Sequence, residues 1–294
     1  MDFVILDLEW NGSFSRRRKK YVNEIIDIGA VRLSGKLERV DSYSMLITPQ
    51  IGKKLNKYVE ELTHISIDEL EQAQHTFTHA LSKFNEFAHD SVILTWGTTD
   101  ILTMMSNCEY YLHDSRPPFL KYYVDLQTYC QSFLPGSAPG KQMGLSAVAE
   151  ILGIEYEADA MHRALADSEL SARCFEKLFN PERLSDYIQT TDEEFYRRVT
   201  FKNHYITDLA SPYLDKSELY GVCDACGERL KTDRKWVSRN RGLRVKAQCP
   251  KCRRKGYLTV RFKRTYDGVE VRRFFSPMEQ DIVDGGAAGT SVLR

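Results

Sequence analysis

The chain has 294 residues, 42% of them hydrophobic, with 41 Lys+Arg balanced by 41 Asp+Glu and seven cysteines. That length accommodates one large domain and one small one. No run approaches the roughly 18 apolar residues of a membrane span, and the start Met1-Asp2-Phe3 lacks a basic leader, so the expectation is a cytoplasmic protein with no membrane role.

The run Phe3-Val4-Ile5-Leu6, closed by Asp7-Leu8-Glu9, predicts a buried strand over 3–9. Side chains alternate along a strand, so Asp7 and Glu9 share a face. Two carboxylates so placed repel each other and call for a cation or a proton. Residues 16–20, Arg-Arg-Arg-Lys-Lys, form a loop before two more strands, over 24–33 and 40–48. Ser66, with Glu69 three residues on, caps a short helix over 66–71. Ala80, Leu81, Phe84 and Phe87 make one helical stripe. A fourth strand over 92–96 precedes a helix from Ile101, and a fifth over 122–126 leads into a helix through Phe133. Residues 135–140, Pro-Gly-Ser-Ala-Pro-Gly, read as a loop. Leu145, Val148, Ala149 and Leu152 give a helix stopped by Gly153, and a last helix covers 164–179. Strands followed by alternating helices and strands indicate an α/β domain with a mixed sheet over 1–180. A polar, partly helical connecting arm follows over 181–220, then a cysteine module over 221–275 and a Gly-rich tail over 276–294 expected to be disordered.

Candidate chemistry begins with the acids. Asp100 follows Trp96-Gly97-Thr98-Thr99 at the head of a helix, and Asp167 lies in the first turn of the last one, five residues after His162. Carboxylates converging from separate elements suit a pair of magnesium or manganese ions, which bind the attacking and leaving oxygens of an in-line phosphoryl transfer. A neutral His162 imidazole suits proton abstraction from the attacking water. Trp10 is placed to stack on a terminal base, and Arg16 and Arg17 to meet phosphates. Each signal has an ordinary reading: a solvated Asp-x-Glu pair, a helix-capping Asp100, a core Trp10, a solvated basic loop. Their joint occurrence in this order favours phosphodiester cleavage.

Here the chain resembles a known family. Asp7-Leu8-Glu9, with Asn23-Glu24-Ile25-Ile26-Asp27-Ile28-Gly29-Ala30-Val31, is similar to the first motif and second strand of the DEDDh (DnaQ-like) 3′→5′ exonucleases. Glu61-Leu62-Thr63-His64-Ile65-Ser66 resembles their Leu-Thr-Gly-Ile-Thr segment, with His64 where Gly is usual. Asp100 takes the second-motif position in a departure from Asn-x-x-Phe-Asp, with Asp125 the poorer substitute. Met161-His162-Arg163-Ala164-Leu165-Ala166-Asp167-Ser168 is similar to the third motif. The resemblance covers about residues 1–180. It implies an RNase H-like fold, catalytic and metal-binding roles for Asp7, Glu9, Asp100 and Asp167, a base role for His162, and terminal-nucleotide contacts around Thr63, His64 and Trp96. The second strand, Trp10 and the Trp96 segment are most similar to the branch that trims structured RNA 3′ ends and to KapD-like relatives.

Cys223-x2-Cys226 and Cys249-x2-Cys252, 22 residues apart, have the spacing of a structural zinc ribbon, while Cys108, Cys130 and Cys174 read as buried thiols. Residues 221–264 hold 15 Lys+Arg against 3 Asp+Glu, which leaves a net charge of −12 on the rest of the chain. Basic residues interleaved with Trp236 fit nucleic-acid binding; a protein partner or docking on the acidic body are the other readings. The composite expectation is a 3′→5′ exoribonuclease acting on single-stranded RNA 3′ ends with a nucleic-acid-binding zinc ribbon. The alternatives are a DNA 3′→5′ exonuclease, a non-catalytic adaptor, and, less favoured by the basic ribbon, a small-nucleotide phosphodiesterase.

Overall fold

The computed structural model describes residues 1–134, 142–157 and 162–278. The loop expected over 135–140, Met161 and residues 279–294 of the tail lie outside the described residues. The chain divides into two compact units, Met1–Val199 and Thr200–Arg294. No described helix is long and apolar enough to cross a membrane.

In the first unit, β1 (Asp2–Ser15), β2 (Lys20–Leu33) and β3 (Arg39–Leu46) form an antiparallel meander. Helices α1 (Lys57–Thr63), α2 (Ile67–Ala73) and α3 (Phe77–Phe87) follow, then β4 (Ser91–Thr95), α4 (Thr99–Tyr111), β5 (Tyr122–Asp125) and α5 (Leu126–Gln131). Next come α6 (Leu145–Ile151), α7 (Ala164–Leu178), α8 (Pro181–Ser185), β6 (Gln189–Thr190) and α9 (Glu193–Val199). The sheet order is β3-β2-β1-β4-β5-β6, with β1, β4 and β5 parallel and the other pairs antiparallel. This is the expected α/β fold, a mixed sheet with flanking helices.

Strand parity sorts the core. Val4, Leu6 and Leu8 pack on one face against Phe84, Ile101 and Met104 of α3 and α4. Phe3 and Ile5 pack on the other against Tyr129, Val148 and Phe175 of α5, α6 and α7. Asp7 and Glu9 continue the second row, where α7 begins. Several boundaries moved. β1 runs to Ser15, and its inward residues past Glu9 are polar, which hides the period: buried Asn11 donates to the Lys54 carbonyl at 3.0 Å and accepts from the Asn56 amide at 3.0 Å. The segment expected as a connecting arm over 181–220 is divided. β6 closes the first sheet beside β5, and buried Phe195 of α9 joins the first core.

The second unit contains β7 (His204–Ile206), β8 (Lys231–Thr232), β9 (Val237–Arg239), β10 (Gly242–Gln248), β11 (Lys255–Arg264) and β12 (Val269–Pro277). The order β12-β11-β10-β8 forms an antiparallel sheet, with β7 paired to β11 and β9 to β10. Ser276 and Pro277, expected at the start of a disordered tail, are the end of β12, held opposite Tyr257 and Gly256. Leu243, Val245, Leu258, Val260 and Phe262 form one small buried layer.

Candidate active site

Asp7 and Glu9 project from β1 as half-buried side chains, and a register shift separates Glu9 from Trp10. Opposite Glu9 on β2 stands Asp27, leaving Ile26 as the extra residue of a bulge. Asp100, in the first turn of α4, is buried, and its Oδ1 accepts the Leu8 amide at 3.2 Å, which ties the helix start to the strand between the two carboxylates. Asp125 is occupied elsewhere, capping α5 by accepting from the Thr128 amide at 3.0 Å and hydroxyl at 2.8 Å.

Asp167 arrives from α7. The helix start seats directly on β2 because Gly29 has no side chain: a Cβ there would lie 2.0 Å from the Ala164 carbonyl carbon. The Ser168 hydroxyl donates to the Gly29 carbonyl at 2.8 Å. Gly29 is the partner of Asp7 in the β1–β2 ladder, so the glycine lets the helix bring Asp167 over the strand carboxylates. The His162 amide donates to Asp167 Oδ2 at 3.2 Å, while the His162 side chain is exposed and its backbone is left-handed, φ 66°. One ligating atom from each of Glu9, His162 and Asp167 falls within 4.8 Å of the others.

The electrostatics follow from this crowding. Burial, then the charges of Asp100, Asp167 and Glu9, holds the Asp7 carboxyl well above its ordinary range. Burial, then Asp167, Asp27 and Asp100, pushes Glu9 up to about 8. Burial raises Asp100 to about 7 against the lowering effect of its amide bonds, and raises Asp167 despite His162. Asp167 Oδ1 and Asp27 Oδ1 are buried without a hydrogen-bond partner. Orphaned carboxylate oxygens among mutually repelling acids fit divalent cations with oxygen ligands. The donor set is right for magnesium or manganese and too hard for a soft thiophilic metal.

The expected substrate contacts divide. Trp10 is half-buried and leans on the core beside Glu9. Trp96 is packed in the other core cluster, and its indole N–H donates to the Met143 carbonyl at 3.2 Å, so its polar edge is committed. Thr63 is buried at the end of α1, its hydroxyl donating to the Val59 carbonyl at 2.8 Å, while His64 is exposed with φ 54°. Arg16 and Arg17 are not brought to the acids. They sit past Ser15, six residues along β1 from Glu9, about 20 Å at ~3.3 Å per residue. Arg17 instead meets His113 Nε2 at 3.2 Å.

Sequence reading missed Asp27, which burial raises to about 6 against the lowering effect of Arg163 at 3.7 Å. Its signal was present: one charged residue inside the run Ile25-Ile26-Asp27-Ile28, at a buried strand position.

The four cysteines form the second cluster. One Sγ from each of Cys223, Cys226, Cys249 and Cys252 lies within 4.8 Å of the others. Cys223 and Cys252 Sγ are 3.5 Å apart, and Cys226 and Cys249 Sγ 3.4 Å. The sulfur–sulfur edge of a tetrahedron with ~2.3 Å bonds is about 3.8 Å, so the set fits zinc. The two arms repeat one geometry. Gly227 N–H donates to Cys223 O at 2.9 Å, and Arg253 N–H to Cys249 O at 3.0 Å, with φ 70° and 62°. Cys108, Cys130 and Cys174 are buried in the first unit's cores.

A family model described as Exonuclease (RNase_T) matches residues 4–175, more than half the chain. The DNA polymerase III subunit epsilon of Aquifex aeolicus (strain VF5) is 26% identical over 176 residues, 60% of this chain and 79% of that protein. The solved nuclease domain of 3′hExo, a DEDDh family member bound to rAMP, aligns with a TM-score of 0.52 at 24% identity, covering 65% of this chain and 96% of that one. A 3′-exonuclease that recognises the histone mRNA stem-loop aligns with a TM-score of 0.51 at 24% identity, covering 64% and 84%. The chain belongs to the exonuclease family, in its DnaQ-like division.

Proposed function

We propose that this protein is a divalent-metal-dependent 3′→5′ exoribonuclease whose C-terminal unit is a zinc ribbon that holds nucleic acid. The observation that carries the reading is the convergence of Asp7, Glu9, Asp100 and Asp167 from three separate elements, with His162 beside them. Two magnesium or manganese ions held by these four carboxylates would neutralise charge on the scissile phosphate. His162 takes the proton of the water that attacks the terminal phosphodiester; its exposure leaves the ring free to pass that proton to solvent. Asp27 and Arg163 act as positioning residues, since their contact joins β2 to the start of α7. The half-buried Trp10, directly after Glu9, stacks on the 3′-terminal base, and exposed His64 borders the terminal nucleotide. Zinc, bound by four thiolates with no open position, is structural.

RNA is favoured by the likeness of the second strand and the Trp10 and Trp96 segments to the RNA-trimming branch. The deciding experiment is hydrolysis of 5′-labelled single-stranded RNA and matched DNA with magnesium or manganese. Stepwise shortening of RNA faster than DNA is expected. Faster shortening of DNA would move the assignment to a DNA exonuclease, and intact oligomers with folded, metal-loaded protein would leave the adaptor and the small-nucleotide phosphodiesterase readings.

A further inference from the structure

The second unit turns one side of β10, β11 and β12 inward: Leu243, Val245, Leu258, Val260 and Phe262 are buried, and Val269, Val271 and Phe275 of β12 pack against them half-buried. The other side is outward by parity, and cross-strand pairing sets its grid. Lys246 faces Tyr257 and then Ser276; Arg244 faces Thr259 and then Phe274; Arg261 faces Arg272. Two guanidinium groups lie on aromatic rings of this face, Arg244 on Tyr257 at 3.9 Å and Arg261 on Phe274 at 5.1 Å. Phe274 is nevertheless 44% exposed. Gly242 clears the space: a Cβ there would come within 2.9 Å of Arg261 Cγ. Arg244, Arg261, Phe274 and Thr259 thereby line an open concavity of about 300 Å³.

Two further observations point to an anionic occupant. Arg244 Nε and Arg261 Nε are buried with no hydrogen-bond partner. Among the described residues neither guanidinium forms an ion pair, and Glu270 is paired with Arg272 at 3.8 Å. A buried N–H without an acceptor is unusual in a folded protein, and here two lie on one floor. A guanidinium over a ring keeps N–H groups for phosphate oxygens, and exposed Phe274 accepts a nucleobase.

We infer that the outward face of β10, β11 and β12 is a platform for single-stranded nucleic acid, with Arg244 and Arg261 meeting phosphates and Phe274 and Tyr257 supporting bases. This rests on the reading that the C-terminal unit binds nucleic acid, and locates that binding on the sheet face, where Arg244 from between the cysteine pairs meets Arg261 and Phe274 from beyond them. Stacking area next to paired cations suits unpaired bases, whereas a duplex backbone would leave the rings unused.

The test uses the full-length, zinc-loaded chain carrying Asp7→Asn, so that a fluorescein-labelled 15-nucleotide oligo(U) stays intact without a chelator. Arg244→Gln with Arg261→Gln is expected to raise Kd at least tenfold and to flatten the log Kd against log salt slope by about 1.4, ~0.7 per lost phosphate contact. Phe274→Ala is expected to raise Kd at least fivefold with the slope unchanged. Unchanged Kd and slope in both, while Arg234→Gln with Lys235→Gln weakens binding, would overturn the platform and leave nucleic-acid binding by the unit standing. No effect from any of the three would overturn both. Competition by poly-glutamate as effective as by unlabelled oligo(U) would overturn the platform in favour of an acidic protein surface. One zinc per chain marks each variant as folded, and the exposed Phe274 keeps the test decisive if the arginine pair fails it.

Discussion

The two units solve opposite electrostatic problems. The first buries like charges: Asp7, Glu9, Asp27, Asp100 and Asp167 crowd one end of a sheet whose two faces are covered by helices. It tolerates them because two large apolar layers supply the stability, at about 25 cal/mol per Å² of apolar area buried. The second unit has a single thin layer and spreads its positive charge over rings at the surface. Its stability should come from the four thiolates. On the proposed function, a site that needs a metal for chemistry would sit in a unit that does not need one to fold, and the reverse would hold for the other.

The largest break in that comparison is zinc removal. Zinc ligation in such modules is worth about 10–16 kcal/mol, so Cys249→Ser or a zinc chelator should abolish the folding of residues 200–278. The first unit's melting transition should persist, as calorimetry showing one transition lost and one kept would establish. Asp7→Asn comes next. RNA trimming should fall at least a thousandfold, about 4 kcal/mol of barrier, with RNA affinity held within about twofold. In metal-free buffer the same variant should melt no lower than the parent, because it removes repulsion.

The pH dependence has the same origin. Glu9 is raised to about 8, so its proton is bound more tightly in the folded state than in the unfolded one. That contribution is full below about 4.5 and is lost as pH rises through 8. Metal-free protein should therefore lose melting temperature over that window, and saturating magnesium should flatten the slope; a metal-free profile rising with pH would contradict the crowded-acid picture. Gly29→Ala should cost about 3 kcal/mol in denaturant unfolding of the first unit, since the added methyl meets backbone and not a movable side chain. The smallest effect sharpens the second unit. Arg253 holds the left-handed position that Gly227 fills in the other arm, so Arg253→Gly should stabilise the zinc-bound unit by about 1 kcal/mol, read from the concentration of chelator needed to unfold it.

Much of the first unit was legible because its chemistry and its periodicity coincide. Asp-x-Glu after an apolar run announces both a strand and a shared face, and Gly153 ends α6 with φ 62° as a stop signal should. Legibility failed where polar groups take apolar positions. Asn11, Ser13 and Ser15 face inward on β1, so residues 10–15 lie outside the expected strand. Asp27 lies inside a strand motif, yet its membership of the acid cluster depends on its pairing with Glu9 across the strands, which no local pattern shows. Arg16 and Arg17 followed the site closely in the chain and were assigned to it, but a strand carries its residues away at ~3.3 Å per step. The outward face of β10, β11 and β12 is assembled from side chains 30 residues apart, Arg244 to Phe274, and no local pattern marks it.

The parity of β1 has a consequence for how the chain finds its fold. A slip of one residue against β2 would exchange the rows of the strand, moving Asp7 and Glu9 into the layer of Val4, Leu6 and Leu8 beneath α3 and α4. Two carboxylates would then lie in hydrocarbon far from any cation, at several kcal/mol each. The acids of the active site thus serve as alignment marks: before any substrate arrives, they make the misaligned hairpin the costlier one and hold the central strand in register.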